Sequence, residues 1–297
     1  SRPPLPLLQN ETVIEAPVEQ TTITRRYTQK AVQFIEQHRD EPFFLYMPHT
    51  MPHNPLHASE EFAGKSANGG YGDAVEEIDW SVGQLLQILK ELNLEEKTLV
   101  FFTSDNGAAE RWGGSNGPLR GWKGSTWEGG QRVCAVAQWP GQIPSGMEST
   151  ALMSTLDLLP TLAFFAGAEP PPDRQIDGVN MASVLRGRPE SPRETFYFYQ
   201  MDQLQAVRSG KWKLYVPLEE KKRNWGPSLG PQELQLYDLE SDMGETTNLA
   251  DIHPDAVNRL LELAEQARQD LGDTDRQGDL QRPAGWVETP QPLLQIP

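Results

Sequence analysis

Apolar positions in this chain follow two periods, and the period changes with the segment. Ile23, Tyr27, Ala31, Phe34 and Ile35 keep helical spacing, and Thr21, Thr22 and Thr24 offer caps, which predicts a helix running to about His38. A second helix is predicted over roughly 71–93. Its apolar face is Tyr71, Val75, Ile78, Val82, Leu85, Leu86, Leu89 and Leu92, and Asn93 is suited to close it. Shorter apolar runs, Phe43–Met47, Thr98–Thr103 and about 132–138, have the length and composition of buried strands. Leu156, Leu158, Leu159, Leu162 and Phe165 mark a short helix near 155–166. Helices alternating with strands predict an α/β fold, with a mostly parallel sheet covered by helices on both faces.

The pattern changes after Pro170-Pro171-Pro172 and the proline-rich run to Pro192, so a boundary is predicted between a domain over 1–192 and a second over 193–297. Short strand-like runs follow at 195–199, 204–208, 211–216 and 234–239, with a hairpin-type turn at Ser209-Gly210. A helix from about 254 to 271 carries Val257, Leu260, Leu261, Leu263, Ala264 and Ala267. This predicts a small antiparallel sheet with one packed helix. Residues 1–20 are proline-rich and expected extended, the tail after 272 is polar, and no internal repeat is visible.

Composition then narrows the chemistry. The 297 residues, 37% of them hydrophobic, suffice for a packed core. A net charge of −16 argues against nucleic acid and anionic membranes as partners. An anionic ligand would need a local positive cluster, and Arg111, Arg120, Lys123 and Arg132 are the candidates. The single cysteine, Cys134, has apolar flanks and is expected to be a buried small hydrophobe. No apolar run reaches the roughly 18 residues of a membrane span. Asn10-Glu11-Thr12 is a glycosylation sequon.

The strongest candidate site follows the strand at 98–103. Asp105 and Asn106 put a carboxylate and an amide oxygen at its carboxyl end, where α/β proteins bind ligands, and both suit a hard cation such as Ca²⁺ or, second, Mg²⁺. Lys123 lies in a glycine-rich loop and can hold an anion as charge develops on it. Gly121, Gly124, Gly129 and Gly130 would let backbone N–H groups approach the same anion, and Arg132 can support it. His49, His53 and His57 are spaced by four, but Pro48, Pro52 and Pro55 forbid the helix a zinc reading needs. A general acid or anion-binding histidine fits better. Glu76, Glu77 and Asp79 share one predicted helix and read as a solvated face.

These motifs, with Pro42 to His49, Tyr71-Gly72-Asp73, Gly114 to Arg132, Leu156 to Leu162, Asp177-Gly178 and Ala206 to Lys213, resemble in order and spacing the sulfatases of the arylsulfatase type, in the alkaline-phosphatase-like superfamily. The resemblance spans roughly residues 5–250. It implies a sulfuric ester hydrolase using one Ca²⁺ and a formylglycine nucleophile, acting on an aryl, lipid or carbohydrate sulfate. It implies Asp105 and Asn106 as metal ligands, Lys123 on the sulfate and bridging oxygen, His53 at the leaving group, and His49 as a neighbouring substrate contact. It suggests a secreted, periplasmic or lysosomal location. The Cys/Ser-x-Pro-x-Arg motif that carries formylglycine does not occur in these residues, and Cys134 is followed by Ala135-Val136-Ala137. The expectation is therefore the carboxyl-terminal part of such an enzyme, inactive alone. Two alternatives stay open: a phosphodiesterase or phosphonate hydrolase of the same superfamily, or a non-catalytic anion-binding fragment.

Overall fold

In the computed structural model, which describes residues 4–291, the chain gathers into two compact units. One contains the residues up to Glu95 and the segment from Pro283; the other is Glu96–Arg282. The first unit opens with a hairpin, β1 (Leu7–Gln9) and β2 (Thr12–Glu15), where the composition suggested only extended chain. Asn10 of the sequon is exposed in its turn.

Helix α1 (Ile23–Gln37) then packs on α2 (Gly69–Glu91). The contact buries Ile23, Ala31 and Ile35, and Thr28 donates to Ser81 at 2.6 Å. Asn93 follows the α2 C-cap with φ of 57°, and its N–H reaches the Lys90 carbonyl. It is the left-handed residue that ends the helix, as the sequence predicts. The acidic residues on α2 differ from expectation. Glu76 and Asp79 are exposed, but Glu77 is buried and accepts the Ser59 N–H, and the buried Asp73 accepts three N–H groups from Gly64, Lys65 and Ser66. Those bonds hold the Asp73 carboxyl below the usual carboxylate range. These acids pin the loop before the helix rather than face solvent.

In the second unit, β3 (Val100–Thr103) is followed by a long loop, a helical turn α3 (Glu128–Gln131) and β4 (Ala135–Gln138). β3 and β4 pair antiparallel, with Phe102 opposite Val136. Among the described residues no strand pair is parallel, and the 43–47 segment, predicted as a strand, joins no sheet. A period-two apolar segment becomes a strand only where a neighbour supplies the hydrogen bonds. Cys134, expected buried, is exposed, because nothing among the described residues covers that side of β4.

Helix α4 (Leu158–Phe165) and the turn α5 (Ala182–Leu185) follow. The Leu156–Leu162 motif is structural: Asp157 is fully buried, caps its own helix, takes the Val179 N–H and pairs with Arg193.

The last part is the antiparallel sheet of β5 (Thr195–Gln200), β6 (Gln203–Ser209), β7 (Trp212–Tyr215) and β8 (Gln235–Asp238), in that spatial order. Helix α6 (Pro254–Leu271) packs across β6 and β7. Leu204, Val207, Leu214, Leu236, Leu260 and Ala264 are all fully buried between them. The small antiparallel sheet with one packed helix is thus as predicted. Among the described residues no helix is long and apolar enough to cross a membrane.

Candidate active site

Asp105, Asn106 and Lys123, singled out in the sequence, line one cleft of about 370 Å³. The chain turns sharply after β3: a Cβ at Gly107 would come within 1.8 Å of the Gly129 carbonyl oxygen. The backbone there is close-packed, so the residue has to lack a side chain. Gly107 N–H donates to the Gly130 carbonyl and Lys123 N–H to that of Ala108, which brings the lysine loop back against the strand end. Asn116 joins the layers, its Oδ1 accepting from Ala108 N–H at 2.8 Å and its Nδ2 donating to Gly121 O at 3.0 Å.

Two of the four predicted glycines are committed to this packing. Gly129 N–H is committed to Arg120 O and Gly130 N–H to Trp127 O, so neither amide is free for a ligand. The predicted cationic cluster also separates. Of its four members only Lys123 lines the cleft. Arg111 is exposed. Arg120 lies 3.6 Å from the Trp127 ring centre and donates to Tyr237 Oη and Glu245 O. Arg132 is exposed, and its charge bears on Arg208.

A buried charge network fixes the lysine loop to the C-terminal sheet. Lys213 Nζ, fully buried on β7, lies 2.9 Å from Glu128 Oε1 and 3.0 Å from Glu245 Oε1, and donates to Thr126 O. Glu245 Oε2 takes the Glu128 N–H, and its Oε1 takes the Tyr215 hydroxyl. Burial and the Glu245 charge hold that hydroxyl far above the ordinary tyrosine range. Lys221 lies over the Trp127 and Tyr215 rings, and burial, with Lys213 and Arg120 nearby, lowers its pKa to about 8.

The sequence reading missed the opposite wall. Gln200 and Met201, at the β5–β6 turn, and Asn224 and Trp225, in the loop after β7, complete the cleft. An aromatic set in the turn-forming run Asn224-Trp225-Gly226-Pro227 was the available signal, since a tryptophan in a polar turn has no core to fill.

His49 and His53 belong to the other compact unit, on the loop 48–57. His53 is exposed, and its Nδ1 is 2.8 Å from the Asn54 carbonyl oxygen. A carbonyl can only accept, so Nδ1 carries a proton in this contact. His49 Nδ1 is buried without a hydrogen-bond partner among the described residues, and burial holds its pKa below the ordinary imidazole value.

Asp105 and Asn106 fit one side of a hard-cation site: both offer oxygen donors, in a polar cleft. Among the described residues no group of three or more His, Cys, Asp or Glu gathers to complete a ligand sphere.

Comparison with known proteins identifies the family. Residues 6–168 match the sequence model of the Sulfatase family, and residues 191–290 match that of the C-terminal region of aryl-sulfatase. Human steryl-sulfatase is 42% identical over 211 residues, a match covering 68% of this chain and 36% of that protein. N-acetylgalactosamine-6-sulfatase of the dog is 46% identical over 202 residues, covering 66% of this chain and 38% of that one. The chain thus spans well under half the length of these relatives.

Solved structures give the same fold. One, from work on the metabolism of multiple glycosaminoglycans by Bacteroides thetaiotaomicron, superposes with a TM-score of 0.76 at 31% identity, covering 85% of this chain and 56% of that one. A sulfatase from Pseudoalteromonas sp. superposes with a TM-score of 0.76 at 27% identity, covering 83% of this chain and 52% of that one. The fold is the α/β fold of these proteins, with the small antiparallel sheet and its helix at the carboxyl end. On the extent of these matches, the chain belongs to the sulfatase family.

Proposed function

We propose that this chain supplies the cation- and sulfate-holding wall of a sulfuric ester hydrolase. The observation that carries the reading is the meeting of Asp105, Asn106 and Lys123 on one cleft. Lys123 holds the sulfate oxygens and offsets the charge that grows on the bridging oxygen as the S–O bond weakens. Asp105 and Asn106 give oxygen ligands to a divalent ion, Ca²⁺ in preference to Mg²⁺. Such an ion would supply positive charge at the ester oxygens. With two protein ligands against the six to eight that calcium takes, this chain holds the ion weakly by itself.

His53 serves as the acid for the leaving-group oxygen, with Nδ1 fixed on Asn54 O and Nε2 carrying the transferred proton. His49 acts as a neutral contact to the substrate. Arg132 contributes at longer range as part of the local positive field. The sequence holds no Cys/Ser-x-Pro-x-Arg run, so the nucleophile comes from another segment and the chain alone has no turnover.

Calorimetric titration of the 297-residue chain with sodium sulfate in excess calcium chloride tests this. Lys123→Ala should weaken sulfate binding about tenfold, the loss expected for one charge-assisted contact of ~1.4 kcal/mol. Asp105→Ala should abolish the calcium dependence, and no sulfate should be released from nitrocatechol sulfate. Sulfate affinity indifferent to Lys123→Ala would remove the basis of the reading.

A further inference from the structure

One side chain spans the two segments that carry the cation-holding and the sulfate-holding groups. Asn116 Oδ1 accepts the Ala108 N–H at 2.8 Å, and its Nδ2 donates to Gly121 O at 3.0 Å and to Ala108 O at 3.4 Å. Ala108 lies two residues after Asn106, and Gly121 two residues before Lys123. The Ala108 carbonyl also takes the Lys123 N–H at 2.9 Å. Ala108 is thus held at both its main-chain polar atoms by Asn116, and in turn fixes the main chain of Lys123. Asn116 is itself fixed: its carbonyl accepts the Leu119 N–H at 3.1 Å across a turn in which Gly117 has φ of 56°. Both hydrogens of its amide are engaged, and it does not line the cleft. Asn116 therefore acts on a ligand through the two segments it joins.

The spacing it sets matters because of charge. A divalent cation at Asp105 and Asn106 and the ammonium of Lys123 repel one another across the cleft. A sulfate dianion lying between them reverses the sign, since each positive group then faces an anionic oxygen. That reversal needs both groups to reach the anion at once. Segments free to drift would widen under the repulsion and leave the sulfate to one group or the other.

We infer that Asn116 is a positioning residue that couples the two halves of the site, so that calcium and sulfate each raise the affinity for the other. The inference rests on the reading of the cleft as a calcium and sulfate site. By linkage the coupling is reciprocal, and one measurement of sulfate affinity with and without calcium reads it.

The test is calorimetric titration of the 297-residue chain with sodium sulfate, in the absence of calcium and in saturating calcium chloride. In the parent chain calcium should tighten sulfate binding about tenfold. In Asn116→Ala that factor should fall to about two or less, while the calcium-free affinity, which depends on Lys123, stays within about twofold of the parent. Asn116→Asp keeps the acceptor for Ala108 N–H and loses the donor to Gly121 O, and should also lower the factor. Trp112→Ala, at a residue of the same loop 53% exposed and outside the cleft, should leave the factor unchanged. Full coupling in Asn116→Ala overturns this inference alone and leaves the site reading intact. An equal loss of affinity with and without calcium also overturns it, since the residue would then serve only the fold of the loop. So does global unfolding of both variants, because a half-buried residue that spaces two loops should leave the cores standing. If calcium has no effect in the parent, or sulfate does not bind through Lys123, the site reading fails and this inference fails with it.

Discussion

Two regions of the Glu96–Arg282 unit are equally apolar in sequence and opposite in burial. In the C-terminal sheet, Leu204, Val207, Leu214 and Leu236 are fully buried, and Leu260 and Ala264 of α6 close over them. In the β3–β4 pair and the segment entering α4, Phe102 is 39% exposed, Val136 63%, Leu156 50% and Leu159 53%. The first region carries its own cover 24–60 residues downstream in the same chain; the second has none among the described residues. Hydrophobic periodicity tells which face asks for burial, and a partner element decides whether it is granted.

The sharpest way to break the contrast is to attack the buried end. Lys213→Met leaves Glu128 and Glu245 as neighbouring buried carboxylates without the cation they share. Loss of one partner from such a network costs about 3–5 kcal/mol, read as a lowered urea midpoint. A midpoint shift below about 1 kcal/mol would mean that the network is solvated rather than sealed.

A smaller effect separates the two regions by pH. Lys221 has its pKa lowered to about 8, so between there and the unfolded lysine value of about 10.4 the unfolded chain binds more protons than the folded one. Stability should rise over that window, by about 1 kcal/mol once solvent screening is allowed for, and the rise should vanish in Lys221→Met. Above about pH 10 the trend reverses. Burial pushes the Tyr199 hydroxyl up to about 12, so the unfolded chain ionises first. A melting temperature flat from pH 8 to 10 in the parent chain would count against a desolvated Lys221.

The smallest effect belongs to the uncovered sheet. Val136→Thr, at a position 63% exposed and opposite Phe102, should change the unfolding free energy by less than about 0.5 kcal/mol. A loss above about 1 kcal/mol would show that this face is covered in solution.

The same contrast explains what could be read in advance. Helix α6 spans 254–271 as its apolar spacing predicts, and the ends of β5 to β8 fall within one residue of expectation. Pattern and cover lie together there, so local reading suffices. Asp105, Asn106 and Lys123 were legible as chemistry because hard oxygens after a strand and a lysine between glycines are informative in themselves. Gln200, Asn224 and Trp225 were not, because tertiary folding brings them to the cleft and no local period marks a polar residue as inward-facing. The burial of Glu77 and the exposure of Cys134 were misjudged for a related reason: charge and apolarity state a preference, and only packed neighbours settle the outcome.

The Lys213–Glu128–Glu245 knot has an implication for how members of this family can exchange parts. It joins residues from both matched regions, 6–168 and 191–290, in one sealed cluster. A recombination point between them, although it falls in a permissive proline-rich linker, would separate an acid from the base that neutralises it. Carboxyl-terminal sheets should therefore be inherited together with the lysine loop they anchor, and hybrids that mix the two should require the whole triad from one parent.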